Sequence, residues 1–384
     1  MRLALSGGGT GGHVYPALSI AGALQRDLAP GETLELLYLG SAGGAEAELV
    51  ERAGVPFRHI AAAPIRGRLP WEMAGNAVKM ALGTSQARAA LRAFAPQVVL
   101  STGGYASFPV ALAARSRKIP LAVYLPDLYP GWAVRAIARL AQRVAVTAVE
   151  SLRRLPDGKG VVTGYPVRDE FWQANRAGGR ERLGLDAEEK MLFVAGASQG
   201  ARSINRAVAT NLRGLLELCE VVHLCGNADE PWLARRRREL PDDLRARYHL
   251  FAYLHDEMPW VMAAADLALC RAGASVLGEL PALALPAILV PYPYAGGHQR
   301  LNARYLADAG AAVILEDRDL GSMLPQVGEL LHHEARLKAM SDAARRLARP
   351  DAASHVARIL LELAEGPVPS LAKGTLSRSR GREL

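Results

Sequence analysis

Leu3-Ala4-Leu5-Ser6-Gly7-Gly8-Gly9-Thr10-Gly11-Gly12-His13, followed at once by Val14-Tyr15-Pro16-Ala17-Leu18-Ser19-Ile20-Ala21-Gly22-Ala23-Leu24, is the stretch that decides the fold. A short apolar strand runs into a loop of five glycines and then into a helix. Glycine lets a backbone approach an anion closely, and the free N–H groups at a helix start, with the dipole behind them, favour negative charge. The stretch therefore reads as a phosphate seat. It is not the dinucleotide fingerprint, because its spacing departs from Gly-x-Gly-x-x-Gly and the next strand, Leu36-Leu37-Tyr38-Leu39-Gly40, ends without an acidic residue. Nor is it a Walker loop, since no Lys-Ser/Thr follows. His13 sets an imidazole, a group able to change charge near neutral pH, beside the anion seat. The plainer alternative is a glycine turn with a surface histidine.

Outward from this stretch the strand–helix alternation repeats. Val98-Val99-Leu100-Ser101 leads through Thr102-Gly103-Gly104-Tyr105 into a helical Val110-Ala111-Leu112-Ala113-Ala114-Arg115 and then the strand Leu121-Ala122-Val123-Tyr124. Continuous apolar strands, each followed by a helix, predict a parallel sheet covered on both faces, with ligands at the carboxyl ends of its strands. The pattern pauses at Val161-Val162-Thr163-Gly164-Tyr165-Pro166-Val167-Arg168, and a polar, glycine-containing segment follows. A second series begins at Met191-Leu192-Phe193-Val194-Ala195. The expected fold class is α/β, with two doubly wound Rossmann-like domains facing a central cleft. Residues 1–163 form the first domain, 164–350 the second, 351–365 a C-terminal helix, and 366–384 a disordered basic tail. One helix is expected over 325–349, and Arg235-Arg236-Arg237-Arg238 reads as a solvated helix face.

The 384 residues allow two cores, and half of them are hydrophobic. No apolar run of about 18 residues appears and the chain starts on a strand, so neither a transmembrane span nor a signal peptide is expected, and the protein should be cytosolic. Cys219, Cys225 and Cys270 lack metal spacing and are odd in number, which suits a reducing compartment. The net charge of +8 is uneven: residues 1–163 hold 18 Lys and Arg against 10 Asp and Glu, while the remainder holds 28 of each. With no nucleic-acid motif visible, nucleic acid is not an expected partner. A basic half of this kind can seek phosphate on an anionic membrane or on a lipid-linked substrate.

Two further segments carry chemistry. Gly196-Ala197-Ser198-Gln199-Gly200-Ala201-Arg202 repeats the strand–loop–helix design with a hydroxyl and an amide added, a second candidate diphosphate seat, although small residues also suit tight helix–sheet packing. Cys270-Arg271-Ala272-Gly273-Ala274-Ser275-Val276-Leu277-Gly278-Glu279 passes from a strand into a helix that displays a carboxylate. Its two oxygens can hold the two hydroxyls of a ribose, unless Glu279 is simply a helix-surface residue.

Together these segments, with Gly164-Tyr165-Pro166-Val167-Arg168, Asn205 and His298-Gln299-Arg300-Leu301-Asn302-Ala303, resemble the inverting glycosyltransferases of the two-Rossmann-domain (GT-B) class. The resemblance is strongest to the MurG family, whose members move N-acetylglucosamine from UDP-N-acetylglucosamine to undecaprenyl-diphospho-muramoyl-pentapeptide. The matching motifs run in the family's order over about residues 3 to 316. The resemblance implies that Thr10, Gly11 and Gly12 contact the sugar nucleotide and the acceptor-diphosphate side, and that His13 is a base. Gly9, Gly103, Gly104 and Tyr105 would meet the acceptor diphosphate. Arg168, Ser198 and Gln199 would meet the donor's diphosphate or uridine, and Leu254 would offer backbone groups to uracil. Ala274, Ser275, Val276, Leu277, Gly278 and Glu279 would cradle phosphate and ribose, while Gln299 and Asn302 would hold the sugar. No metal or cofactor is expected, because glycine-loop N–H groups and helix dipoles can stabilise a leaving diphosphate.

One segment departs from the family. Where His-Glu-Gln-Asn is common, this chain reads Tyr124-Leu125-Pro126-Asp127. A candidate base is missing, and Asp127 replaces an amide that would have met the sugar; an ionised carboxylate only accepts hydrogen bonds. The expected reaction inverts the anomeric carbon as the acceptor's C4 hydroxyl displaces UDP, with His13 as base or, alternatively, as phosphate ligand. Residues 66–82, with Trp71, Met73 and Leu82 beside Arg66, Arg68 and Lys79, could dip into the anionic cytoplasmic face of the membrane, making the protein peripheral, or could pack in the core. The competing functions are transfer to another lipid acceptor, a UDP-N-acetylglucosamine epimerase, and a non-enzymatic scaffold in a cell-wall complex.

Overall fold

The computed structural model describes residues 1–8, 11–41, 46–63, 70–196, 199–294 and 297–366, excepting the side chains of 70–72, 74 and 132. Expectations placed on Gly9, Thr10, Ser198, residues 66–69, the Trp71 side chain and the tail from 367 onward lie outside the described residues.

Among the described residues, thirteen strands form two sheets in which every pairing is parallel. The first lobe holds β1 (Arg2–Gly7), β2 (Glu35–Ser41), β3 (Phe57–Ile60), β4 (Val98–Gly103), β5 (Leu121–Leu125), β6 (Arg143–Val146) and β7 (Gly160–Val162), in the order β3-β2-β1-β4-β5-β6-β7. The second holds β8 (Met191–Ala195), β9 (Glu220–Leu224), β10 (Tyr248–Phe251), β11 (Leu267–Cys270), β12 (Ala287–Leu289) and β13 (Ala312–Ile314), in the order β10-β9-β8-β11-β12-β13. β4, β5, β8, β9 and β11 are buried along their whole length; β5, β8 and β11 accordingly read as unbroken apolar runs, while β4 and β9 also bury Ser101, Thr102, Glu220 and His223.

In each sheet the order reverses once, between β1 and β4 and between β8 and β11. Connections leave in opposite directions there, which opens a crevice at the strands' carboxyl ends. The first glycine stretch ends β1, and the 273–279 stretch follows β11. Both sit at these reversals.

The chain leaves the first sheet at Val162 and enters the second at Met191. At the crossing, Gly164 has φ +91, and a Cβ there would lie 2.6 Å from that of Arg349, so the outgoing segment and the returning chain touch. The expected helix over 325–349 is two, Met323–His332 and Glu334–Leu347, interrupted at His333. The helix Ala352–Glu365 then crosses back to the first lobe and packs on the helix Gly11–Asp27, burying Ala353, Val356, Ala357, Ile359 and Leu360 in the shared core. The arginines at 235–238 close the helix Glu230–Arg238 and are exposed. All three cysteines are buried and unpaired.

Candidate functional site

A cleft of about 740 Å³ lies between the lobes. The first lobe contributes Gly8, Gly11, Gly12, His13, Tyr15, Gly104, Tyr105 and the segment 125–127; the second contributes Leu254, Gly273, Ala274, Ser275, Glu279, His298 and Gln299, with Arg168 from the crossing segment.

On the first lobe, backbone proximity requires glycine. A Cβ on Gly104, whose φ is +86, would stand 2.7 Å from the Gly8 carbonyl oxygen, so the loop after β4 lies directly against the loop after β1. A Cβ on Gly103 would be 3.3 Å from Cε1 of His13. His13 Nδ1 is 2.6 Å from the Thr102 carbonyl oxygen, which can only accept, so Nδ1 carries the proton. The neutral ring therefore keeps its lone pair on Nε2, the nitrogen left for the cleft. Gly103 does not line the cleft; its place is behind the His13 ring, and its carbonyl accepts from Ser107 Oγ at 2.7 Å. Tyr105 is 58 % exposed on the rim.

The helix Gly11–Asp27 starts in the cleft and carries Pro16, which has no N–H to give to the Gly12 carbonyl. Tyr15, one turn in, was not singled out as a site residue by the sequence reading. Its ring lies under the Arg168 guanidinium at 4.4 Å, and its hydroxyl is 3.5 Å from that of Tyr253 on the other lobe. Burial pushes the Tyr15 hydroxyl well above the ordinary phenol range, and the Tyr253 hydroxyl adds to the shift. Arg168 also faces Phe171 at 5.4 Å, and among the described residues its buried Nε has no hydrogen-bond partner. A cation held by rings rather than by a carboxylate keeps its charge available to an anion.

On the second lobe, Glu279 occupies the first turn of the helix Val276–Ala282. Burial pushes its carboxyl above the usual range, while Arg168 and a hydrogen bond with Ser275 pull it back. Only Ala274, Ser275 and Glu279 of the expected six-residue cradle reach the cleft. Val276 and Leu277 are buried in the core, and a Cβ on Gly278 would lie 2.5 Å from the Tyr165 ring. The N–H groups of Val276, Leu277 and Gly278 already donate to the carbonyls of Gly273, Ala274 and Ser275 at 3.0–3.3 Å. Those three positions build the turn rather than line the site. Gln199 is exposed and is not part of the cleft lining.

Asn302 has a different placement from the sugar contact expected of it, whereas Asp127, also expected at the donor, lines the cleft. Asn302 is fully buried; its Nδ2 donates to Asp127 Oδ1 at 2.9 Å and to the Ala272 carbonyl at 3.1 Å, and its Oδ1 accepts from the Leu128 N–H at 3.2 Å. Both amide hydrogens and the oxygen are engaged within the protein, so Asn302 ties the lobes together. Asp127 reaches the cleft from that tie. Gln299 lines the cleft, and its Oε1 accepts from the Tyr292 N–H at 2.9 Å. Among the described residues, no group of His, Cys, Asp and Glu is arranged to hold a metal ion.

The arrangement sets a proton acceptor on one wall, a ring-held cation at the junction and a carboxylate on the opposite wall. It suits displacement of an anionic leaving group by a hydroxyl.

The glycosyltransferase family 28 N-terminal domain matches residues 3–146, and the family 28 C-terminal domain matches residues 191–356. A UDP-N-acetylglucosamine–N-acetylmuramyl-(pentapeptide) pyrophosphoryl-undecaprenol N-acetylglucosamine transferase from Roseiflexus sp. (strain RS-1) is 42% identical, covering 94% of each chain. Among solved structures, Acinetobacter baumannii MurG superposes with a TM-score of 0.71 at 26% identity, covering 94% of this chain and 99% of that one. A UDP-GlcNAc 2-epimerase from Neisseria meningitidis, bound to UDP-GlcNAc, superposes with a TM-score of 0.64 over 94% of this chain and 100% of its own; at 15% identity it shares the fold alone.

Proposed function

The chain belongs to the MurG family of N-acetylglucosamine transferases, within glycosyltransferase family 28, and from that membership and the cleft we infer that it moves N-acetylglucosamine from UDP-N-acetylglucosamine to lipid-linked N-acetylmuramoyl-pentapeptide, converting lipid I to lipid II in peptidoglycan synthesis. The observation that carries the mechanism is His13, whose Nδ1 proton is engaged by the Thr102 carbonyl so that Nε2 is the free base.

In the proposed step the acceptor's C4 hydroxyl oxygen attacks the anomeric carbon from the side opposite the diphosphate. The C1–O bond breaks, UDP leaves with the electron pair, and Nε2 of His13 takes the hydroxyl proton, a contribution of about 10² to 10⁴ in rate. Arg168 and the loop N–H groups at the start of the Gly11–Asp27 helix stabilise the charge growing on the diphosphate. Glu279 accepts from the ribose hydroxyls, and the backbone at Leu254 faces the base. Gly104 and Tyr105 border the acceptor's diphosphate.

The acceptor is lipid-linked, and we propose that the first lobe meets it at the anionic cytoplasmic face of the membrane. Met73, Val78 and Leu82 on the helix Pro70–Phe94 are 41, 69 and 53 % exposed, which favours surface contact over core packing at these positions, and Lys79 lies exposed among them. The whole +8 excess of charge lies in the same half of the chain. Among the described residues no helix is long and apolar enough to cross a membrane.

Labelled UDP-N-acetylglucosamine, incubated with and without lipid-linked muramoyl-pentapeptide, tests the reading. Label should pass to lipid only when the acceptor is present. Acceptor-independent conversion of the donor to its C2 epimer would overturn the transferase assignment.

A further inference from the structure

The first-lobe wall of the cleft does not end at its glycine loops. It continues over Ala63, Met80 and Phe108, which come from three different elements. Ala63 follows β3, Met80 lies on the helix Pro70–Phe94, and Phe108 stands in the first turn of the helix Ser107–Ser116. The two helices pack on each other. The longer one is also tied to the chain after β3: Gln86 Oε1 accepts from the Ala61 N–H at 2.7 Å, and a Cβ on Gly83 would stand 1.8 Å from the Ala61 carbonyl oxygen. Met80 is 7 % exposed, whereas Val78 and Leu82 on either side of it turn outward. One helix thus shows an apolar face to the cleft and another to the outside.

A wall of methyl, thioether and phenyl groups gives a polar ligand nothing to bond, so sugar, diphosphate or peptide would lose water there without compensation. Hydrocarbon has no such penalty, and an unbranched methionine adapts to an irregular chain. Resting on the acceptor reading above, we infer that this end of the cleft is a subsite for the first isoprene units of the acceptor's lipid. In that acceptor the diphosphate joins the muramoyl sugar to the prenyl chain. With the sugar's C4 hydroxyl at His13 and the diphosphate bordered by Gly104 and Tyr105, the first prenyl carbons leave from the edge of that loop. Phe108, three positions past Tyr105, begins the apolar wall there. The wall ends at Met80, on the helix whose outer face carries Val78 and Leu82, so the remaining chain has a short path to the bilayer.

The test uses soluble acceptors without membrane or detergent: muramoyl-pentapeptide diphosphate bearing either a methyl or a geranyl group, with saturating UDP-N-acetylglucosamine. The unaltered chain should prefer the geranyl acceptor by about 10- to 100-fold in kcat/KM, the worth of burying a few CH₂ groups. Phe108→Ser and Met80→Gln should each cut that preference by about 3- to 10-fold, and Phe108→Leu, which stays apolar, should restore most of it. UDP binding, made on the second lobe, reports that each variant is folded; the half-buried Phe108 supplies the test should Met80→Gln fail to fold. Val78→Ser with Leu82→Ser, on the outer face, should leave the preference as it is. An undiminished preference in the folded Phe108→Ser chain would overturn the subsite. An equal fall in the outer-face variant would also overturn it, by placing the lipid outside the cleft. If the unaltered chain used both acceptors equally, the subsite would fail while the acceptor reading stood. No transfer to either acceptor, with UDP still bound, would overturn the acceptor reading itself.

Discussion

At the scale of single residues, the cleft works by restricting what each group can do. The Thr102 carbonyl leaves His13 only Nε2 as a base, so removing the imidazole removes the proton acceptor from this wall of the cleft. His13→Ala should lower kcat by about 10² to 10⁴. Steady-state kinetics with donor titrated against both chains checks this, and donor affinity lost with kcat intact would make His13 a binding residue instead. Glu279 is a different case, because burial raises its carboxyl and Arg168 opposes the rise. Glu279→Ala should lower kcat/KM for the donor by about 10- to 100-fold, the worth of a charge-assisted hydrogen bond. Unaltered steady-state kinetics would remove it from the ribose site. That both residues would stand at loops facing a cleft was legible in the sequence, since each closes a glycine or small-residue loop. Tyr15 under Arg168 was not legible, because nothing in a run of 154 residues says that a ring and a guanidinium will stack.

At the scale of elements, the second lobe is fastened by a polar chain beneath β9. His223, on that strand, is fully buried; its Nε2–H donates to Asn205 Oδ1 at 3.0 Å and its Nδ1 accepts from the Tyr248 hydroxyl at 2.8 Å. Asn205 Nδ2 in turn donates to the Cys225 carbonyl and to Asp229, both at 2.8 Å. Burial lowers His223 from 6.5 to about 3, against a smaller upward pull from Asp229. The unfolded chain therefore takes up a proton below 6.5 that the folded one refuses, so stability is full above that pH and declines as pH falls toward about 3. Urea midpoints across this window should fall less steeply for His223→Gln, and parallel slopes would exclude His223 as a source. The helix Pro70–Phe94 predicts a surface behaviour. Vesicles containing anionic lipid should bind the chain and release part of it as salt rises. Val78→Ser with Leu82→Ser should reduce the binding left at high salt while shifting stability by no more than about 0.5 kcal/mol per site, since both side chains are exposed. A large loss of thermal stability without loss of vesicle binding would return that helix to the core.

At the scale of the whole molecule, the last helix decides how the lobes are held. Ala352–Glu365 leaves the second lobe and packs on Gly11–Asp27, with Leu360 fully buried between them. Leu360→Ala should cost about 2–5 kcal/mol in urea unfolding, and a change within error would mean that the returning helix does not fasten the first lobe. The alternating architecture, the two order reversals and the loops that end β1 and follow β11 were all written locally. An unbroken apolar strand, a glycine loop and a helix start are properties of residues within a turn or two of each other, and backbone sterics and burial act over that range. The joins between lobes were not written locally. Asn302, taken from the sequence as a sugar contact, is instead bonded to Asp127, and His298 to Tyr129, each across about 170 positions of chain. Their partners are set by how two separately specified sheets come to face one another. Fold class and the chemistry each loop presents are local properties, carried by residues close together in the chain. Which polar groups are already satisfied inside the protein, and which still face the cleft, depends on how the two lobes meet, because a hydrogen-bonding group's role is fixed by the neighbour it meets in space.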